Sequence, residues 1–232
     1  MSQPDRSQAS TSLRIAGWGT ATPARVVTNA ELQDRFRLPD TWIENRTGIT
    51  ERRYAEPHDS TATLAISAGR RALAHARVEP DKIDLLVVAT TTPEQPIPST
   101  AAFVAGALGL GCGSFDVNAA CTGFITAFLT ATAVLTATNG HHALIIGAET
   151  FSRIVDPDDR STAVVFGDAA AAVLLERTAN NESGLLAWDL GCDPSKRSLV
   201  ELVAGGSRHP TTLESLETRT NYLRMSGRAV AE

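Results

Sequence analysis

The stretch DVNAACTGFITAF, residues 116–128, changes its apolar period in the middle. On its N-terminal side SFDVNAA (114–120) reads as a strand that ends at the cysteine. Beyond Gly123, FITAFLTATAVLTATNG reads as a helix closed by Asn139-Gly140, mostly apolar and therefore expected to be buried. Cys121 stands where one period gives way to the other, and the residues alone leave two readings open. Free cysteine is among the most buried residue types, and an alanine-rich strand end is ordinary packing. Alternatively, a strand-to-helix turn exposes the thiol at a helix N-terminus, whose N–H groups and partial positive charge favour a thiolate and an oxyanion on an attacked thioester. Ala119, Ala120 and Gly123 would then leave room for an acyl group.

Outward from this turn, short β-type runs alternate with longer helical ones. LRIAGWGTA (13–21) is expected to be the first strand, VTNAELQDRF (27–36) a helix behind a Thr or Asn cap, and STATLAISAGRRALAHARV (60–78) a long alanine-rich helix capped by Ser60. KIDLLVVATTT (82–92) predicts a buried strand, because apolar residues run without a break from Leu85 to Val88. The three prolines of PEQPIPST (93–100) break the chain before another small-residue helix, TAAFVAGALGL (100–110). ALIIGAE (143–149) predicts a strand; STAVVFGD and AAAAVLLE (161–176) predict two strands, or one bent at Gly167-Asp168. GLLAWDLG (184–191) and TNYLRMS (220–226) resemble later strands joined by a polar segment, and MSGRAVAE begins like a helix and then stops. The alternation predicts an α/β fold with helices packed over a sheet.

Composition narrows the function. The 232 residues are 43% hydrophobic, enough for a substantial core, and 21 basic against 26 acidic residues leave a net charge of -5. That balance has no footprint for nucleic acid or an anionic membrane, so an anionic ligand must be met by local arginines. The three cysteines, Cys112, Cys121 and Cys192, form neither a disulfide framework nor a zinc spacing, which favours a reducing, cytoplasmic setting. No metal-ligand cluster and no glycine-rich dinucleotide motif is apparent, so no metal, nicotinamide or flavin is expected. The polar start MSQPDRSQASTS lacks an apolar signal region, and no apolar run is expected to approach the ~20 residues of a membrane span.

DVNAACTGF resembles the active-site cysteine segment of the thiolase-fold condensing enzymes, specifically the 3-oxoacyl-acyl-carrier-protein synthase III family. TWIENRTGITERR (41–53), LLVVATTTPEQPIPSTA (85–101), ALIIGAETFSRIVDPDDRSTAVVFGDAAAAVLLE (143–176) and YLRMSGRAV (222–230) resemble that family in the same order. The resemblance implies a thiolase-like, layered α/β/α fold and acyl transfer from acyl-CoA to Cys121, followed by decarboxylative condensation with malonyl-acyl-carrier protein. No cofactor is implied beyond acyl-CoA as substrate. By the same resemblance Trp42 and Arg160 would sandwich the CoA adenine, and Arg46 would lie near the nucleotide phosphates. Phe166 would sit near the acyl pocket, and Met225 and Gly227 would approach the pantetheine arm. Ile97 would belong to a loop that crosses a homodimer interface.

The implied organisation is a tail at 1–11, a nucleophile-bearing half at 12–178, and a connecting segment with the start of a second half at 179–232. The family's histidine and asparagine, which polarise the malonyl thioester, have no counterpart here; His58, His75, His141, His142 and His209 are expected to be solvated or structural. The chain therefore reads as cut off, better able to load an acyl group than to condense one. Acyl transfer to an oxygen or nitrogen nucleophile, and a non-catalytic acyl-CoA or carrier-protein binding subunit, are the alternative functions.

Overall fold

The structure is a computed structural model and describes residues 12–179 and 184–231; the expected tail at 1–11 lies outside them. In chain order the elements begin with β1 (Leu13–Ala21), β2 (Arg25–Thr28), α1 (Asn29–Phe36), α2 (Trp42–Thr47), β3 (Glu51–Tyr54) and α3 (Thr61–Ala76). There follow β4 (Leu85–Ala89), α4 (Thr100–Leu108), β5 (Gly113–Val117), α5 (Gly123–Thr138), β6 (His142–Thr150), α6 (Arg160–Ala163) and β7 (Asp168–Arg177). The chain closes with β8 (Val200–Glu201), α7 (Leu213–Glu217), β9 (Arg224–Met225) and α8 (Gly227–Ala231).

Two compact units interleave along the chain. The first draws on the segment through Ala21, on Thr61–Ala148 and on Ala170 to Leu190. It is built on a five-stranded sheet of order β1-β7-β6-β4-β5, in which β4 runs parallel to β5 and β6, and β1 runs antiparallel to β7. Strand alternation sends successive side chains to opposite faces. Leu86 and Val88 of β4 join Leu144 and Ile146 of β6 under α3 and α4, whereas Leu85, Val87 and Ile145 pack with Ala127, Ala131 and Leu135 of α5. The result is a helix–sheet–helix layering with an apolar core on each face.

The alanines of α3 have a steric reason. Ala65, Ala68 and Ala72 are fully buried, and a Cβ on Gly17 of β1 would lie 2.7 Å from the Ala72 carbonyl oxygen and from the Ala76 Cβ. Strand and helix backbones meet too closely for a side chain. Gly17→Ala is therefore expected to destabilise the protein by about 1–3 kcal/mol, the usual cost of overpacking. A lowered denaturation midpoint by circular dichroism checks this.

The second unit holds Thr22–Ser60, Glu149–Ala169 and Gly191–Glu232. Its β2 and β3 form an antiparallel ribbon, β8 and β9 a shorter one, and Val27, Leu32, Ile43 and Val164 form a core flanked by Trp42 and Tyr54.

Several expectations need correction. The helix read over 27–36 starts at Asn29, because Val27 and Thr28 belong to β2, and the Thr28 hydroxyl caps it by accepting from the Glu31 N–H at 3.2 Å. STAVVFGD is not a strand: the Asp159 carboxylate accepts from the Ser161 N–H at 2.9 Å and starts the helical turn α6, so only the run from Asp168 is β. GLLAWDLG forms no strand, and Leu186 and Trp188 are 95% and 67% exposed; TNYLRMS contributes only the two residues of β9.

The largest correction concerns α5. It buries only Gly123, Ala127, Ala131 and Leu135, every fourth residue, so one stripe faces the sheet while Ile125 is 54% exposed. Nor do apolar runs all fall short of membrane length. Among the described residues, one helical stretch, Ala120–Thr138, is long and apolar enough to cross a membrane by length and composition. Its buried stripe nevertheless packs on the sheet, and Thr126, Thr130, Thr132, Thr136 and Thr138 donate their hydroxyls to carbonyls one turn back, which satisfies those groups within the helix.

Candidate functional site

In the first unit, β5 ends at Val117, short of the cysteine, and a 3-10 turn over Ala120–Thr122 carries Cys121 into α5. Ala120 takes the left-handed conformation, φ 45°, a costly one for a residue with a Cβ. Two contacts hold it there: the Asn118 side chain accepts from the Ala120 N–H at 3.3 Å, and the Thr122 hydroxyl donates to the Ala119 carbonyl at 2.8 Å. This strained corner leaves Cys121 exposed rather than packed in the core. It also lies beyond the carboxyl ends of parallel strands, where open α/β sheets bind their ligands. No side chain caps the sixteen-residue α5 that follows, so its N-terminal dipole is directed at this corner.

The other two cysteines differ. Cys112 is half-buried against the α3–α4 core, and burial pushes its thiol pKa up; Cys192 is exposed in a loop of the second unit. His141 and His142 stand where β6 begins, and β6 runs parallel to β4 and β5, so they occupy the opposite end of the sheet from Cys121. His75 sits edge-on to Trp18 on α3.

Sequence reading missed two carboxylates of the first unit that hold helix starts. Asp116, in β5, accepts from the N–H groups of Thr100 and Ala101 at 2.7 Å each and so caps α4; Glu94 accepts from the Ala62 N–H at 2.9 Å at the start of α3. Neither is close in sequence to the helix it caps, so no local capping pattern reveals it. Between Glu94 and Asp116, Ile97 is 83% exposed.

In the second unit, the structure brings Trp42, Arg46 and Arg160 together. Residues 42 and 46 are one turn apart on α2, so the Arg46 guanidinium lies over the indole, 4.5 Å from its centroid. Arg160, on α6, approaches the same ring at 5.8 Å. A salt bridge within DPDDR is the plain alternative for Arg160, but those acids have other partners. Arg219 donates to Asp156 and Asp158, Arg35 pairs with Asp158 at 2.9 Å, and Asp159 is taken by Ser161 and Thr162. Among the described residues neither Arg46 nor Arg160 has a carboxylate partner, and both guanidinia are exposed.

The remaining expected site residues also fall in the second unit. Phe166 stacks on Phe151 with centroids 4.7 Å apart and planes at 8°, within the Val155–Ala163–Leu223 core. Met225 ends β9, half-buried, and the exposed Gly227 begins α8. Glu56, His58 and Asp59 each bring a ligand atom within 4.8 Å of the others, a grouping that spacing alone did not suggest. The Asp59 carboxylate there already accepts from the Glu56 N–H at 3.0 Å.

The same unit also holds a buried cation. Arg52, 5% exposed on β3, donates to the Val27 carbonyl at 3.2 Å, to Asn29 Oδ1 at 2.8 Å and to the Val164 carbonyl at 3.1 Å. Its Nε is buried without a partner. Burial draws the guanidinium pKa down, against the opposing pull of Tyr54 and Glu31. Alternation along ERRY places residues 52 and 54 on one side of the strand, and that spacing was the only signal available.

A family model for 3-oxoacyl-[acyl-carrier-protein (ACP)] synthase III matches residues 115–194. Over 218 residues, 93% of the chain, this protein is 43% identical to beta-ketoacyl-[acyl-carrier-protein] synthase III 3 of Streptomyces coelicolor, spanning 65% of that relative. It is 40% identical over 235 residues to beta-ketoacyl-[acyl-carrier-protein] synthase III of Rhodopirellula baltica, covering 94% of this chain and 68% of that one. The crystal structure of 3-oxoacyl-(acyl carrier protein) synthase III from Pseudomonas aeruginosa superposes with a TM-score of 0.83 at 35% identity, over 94% of this chain and 66% of that one. The chain thus spans about two thirds of the length of these relatives, and its fold is thiolase-like. The ordered likeness on either side of Cys121, together with this shared architecture, means that the chain belongs to the 3-oxoacyl-[acyl-carrier-protein] synthase III family.

Proposed function

We propose that Cys121 accepts an acyl group from acyl-CoA, and that the whole protein condenses it with malonyl-acyl-carrier protein. The observation that carries this reading is an exposed cysteine on a strained turn, at the uncapped N-terminus of a long helix, in a chain of this family. The Cys121 thiolate attacks the thioester carbonyl; a new S–C bond forms, the bond to the CoA sulfur breaks, and CoA leaves as its thiol after taking a proton. In the second step malonyl thioester loses CO2, its carbanion attacks the acyl carbonyl, and the Cys121 thiolate is expelled. Donors that hold the malonyl oxygen are each worth about 3–4 kcal/mol in such steps. The histidines at the far end of the sheet are not placed to act as those donors.

Trp42, Arg46 and Arg160 would receive the nucleotide of CoA, an indole face for the purine and guanidinia for the phosphates. A purine between Trp42 and Arg160 needs about 7 Å, twice the ~3.5 Å contact of stacked planes, so Arg160 must withdraw by ~1 Å from its 5.8 Å position. Phe166, Met225 and Gly227 are assigned to the acyl and pantetheine path, and Ile97, projecting from its loop, to a homodimer interface. Residues 12–178 would form the nucleophile-bearing half and 179–232 a connection into a second half. No bound cofactor, membrane or nucleic acid takes part in this scheme, and three unpaired cysteines support a cytoplasmic setting.

Incubation with acetyl-CoA or a longer acyl-CoA should add one acyl mass to the intact protein, on the peptide containing Cys121. A folded sample with no adduct would sink the transferase reading. Saturable CoA binding in that same sample would turn it into a binding subunit.

A further inference from the structure

Arg160 and Trp42 face each other, yet no bond between their side chains fixes that distance. What fixes it lies just after Arg160. The four-residue α6 ends in two carbonyls, Ala163 and Val164, and both are held by β3: the Tyr54 hydroxyl donates to Ala163 O at 3.1 Å and Arg52 donates to Val164 O at 3.1 Å. The same guanidinium reaches Val27 O on β2 and Asn29 Oδ1 at the start of α1. One buried cation therefore joins three segments of this unit, and Val164 shares its apolar core with Ile43 and Trp42.

The backbone fits tightly against this strut. A Cβ on Gly167 would lie 3.0 Å from Arg52 Cβ and 3.2 Å from the Arg53 carbonyl. Asp168 then accepts from the Ala55 N–H at 2.6 Å and the Ser152 N–H at 2.8 Å, which pins the far end of the same segment to the residue after β3. Burying a guanidinium among carbonyls, with no carboxylate touching it among the described residues and one N–H unpartnered, is a poor way to gain stability. Its planar fork of donors, however, holds several acceptors in fixed relation, which an ammonium cannot do.

We propose that Arg52, assisted by Tyr54, is a positioning residue that sets the place of Arg160 over Trp42 and thereby the affinity for the nucleotide half of CoA. The inference rests on the reading that Trp42 and Arg160 receive that nucleotide.

The test compares Arg52→Lys, Tyr54→Phe and Arg160→Ala. Each is titrated with 3′-phosphoadenosine 5′-diphosphate, and each is acylated at Cys121 by an acyl-CoA and by the same acyl group on N-acetylcysteamine, which has no nucleotide. Losing the guanidinium's placement should weaken nucleotide binding about three- to thirtyfold in Arg52→Lys and Arg160→Ala alike. Tyr54→Phe, which removes one hydroxyl, should show the same trend more weakly. The concentration for half-maximal acylation by acyl-CoA should rise in step, while in Arg52→Lys and Tyr54→Phe the maximal rate and the rate with the short thioester stay within about twofold of the parent. If Arg52→Lys and Tyr54→Phe bind nucleotide like the parent while Arg160→Ala does not, the inference is overturned and the nucleotide reading stands. If acylation by both thioesters falls together, Arg52 serves the fold alone and the inference is again overturned. If Arg160→Ala changes nothing, the nucleotide reading fails and takes the inference with it.

Discussion

Cys121→Ser is expected to abolish the acyl adduct, lowering acylation by acyl-CoA at least ~10³-fold, as removal of a nucleophile does elsewhere. A cysteine sulfur is intrinsically a far better nucleophile than a serine hydroxyl, which needs a base to remove its proton. No histidine of the first unit stands at that end of the sheet to supply one. Because Cys121 is exposed and makes no core contact, the substitution leaves no cavity, and the circular dichroism melt should be unchanged. An adduct of undiminished yield in the serine variant would move the acylation site elsewhere, with Cys192, the other exposed thiol, the first to examine.

Trp42→Ala should weaken CoA binding by about 5- to 150-fold, equivalent to the ~1–3 kcal/mol that base–aromatic stacking contributes. The ring also lies against the Val27–Leu32–Ile43–Val164 core, so part of any loss could come from that packing. Trp42→Phe separates the two contributions, since it keeps an aromatic face and most of the apolar contact. Affinity measured by titration calorimetry should fall in the order parent, Phe, Ala. Acylation by a thioester lacking the nucleotide should be insensitive to both variants. Equal CoA affinity in all three proteins would remove Trp42 from the binding site.

The α/β character was legible from the alternation of periods. β1 coincides with LRIAGWGTA, the run 82–92 contains β4, and the run 143–149 lies within β6, one residue short at each end, because a buried strand must be apolar over several consecutive residues. The failures cluster where local pattern and environment separate. STAVVFGD has β-branched residues, yet an Asp cap turns its start into a helix. GLLAWDLG has the composition of a strand, but β structure needs a partner to bond to, and no described strand pairs with it. The apolar residues of α5 predicted burial all round; only the stripe Gly123, Ala127, Ala131 and Leu135 is buried, with Phe124, Phe128 and Val134 partly covered beside it.

For the site, the sequence by itself determined which groups are available: one cysteine at a change of period, a tryptophan and an arginine one helical turn apart, and an arginine after an acidic run. Those are local facts, set by covalent order and the 3.6-residue repeat. Only the tertiary structure decided that Cys121 is exposed, since exposure follows from the left-handed Ala120 and the end of β5. Only it decided that the acids of DPDDR go to Arg219, Arg35 and Ser161 and leave Arg160 to meet Trp42. It also buried Arg52, joined to carbonyls 25 and 112 residues away along the chain. Hydrogen bonds of such span depend on how segments distant in sequence come together, and no local pattern of residues encodes that.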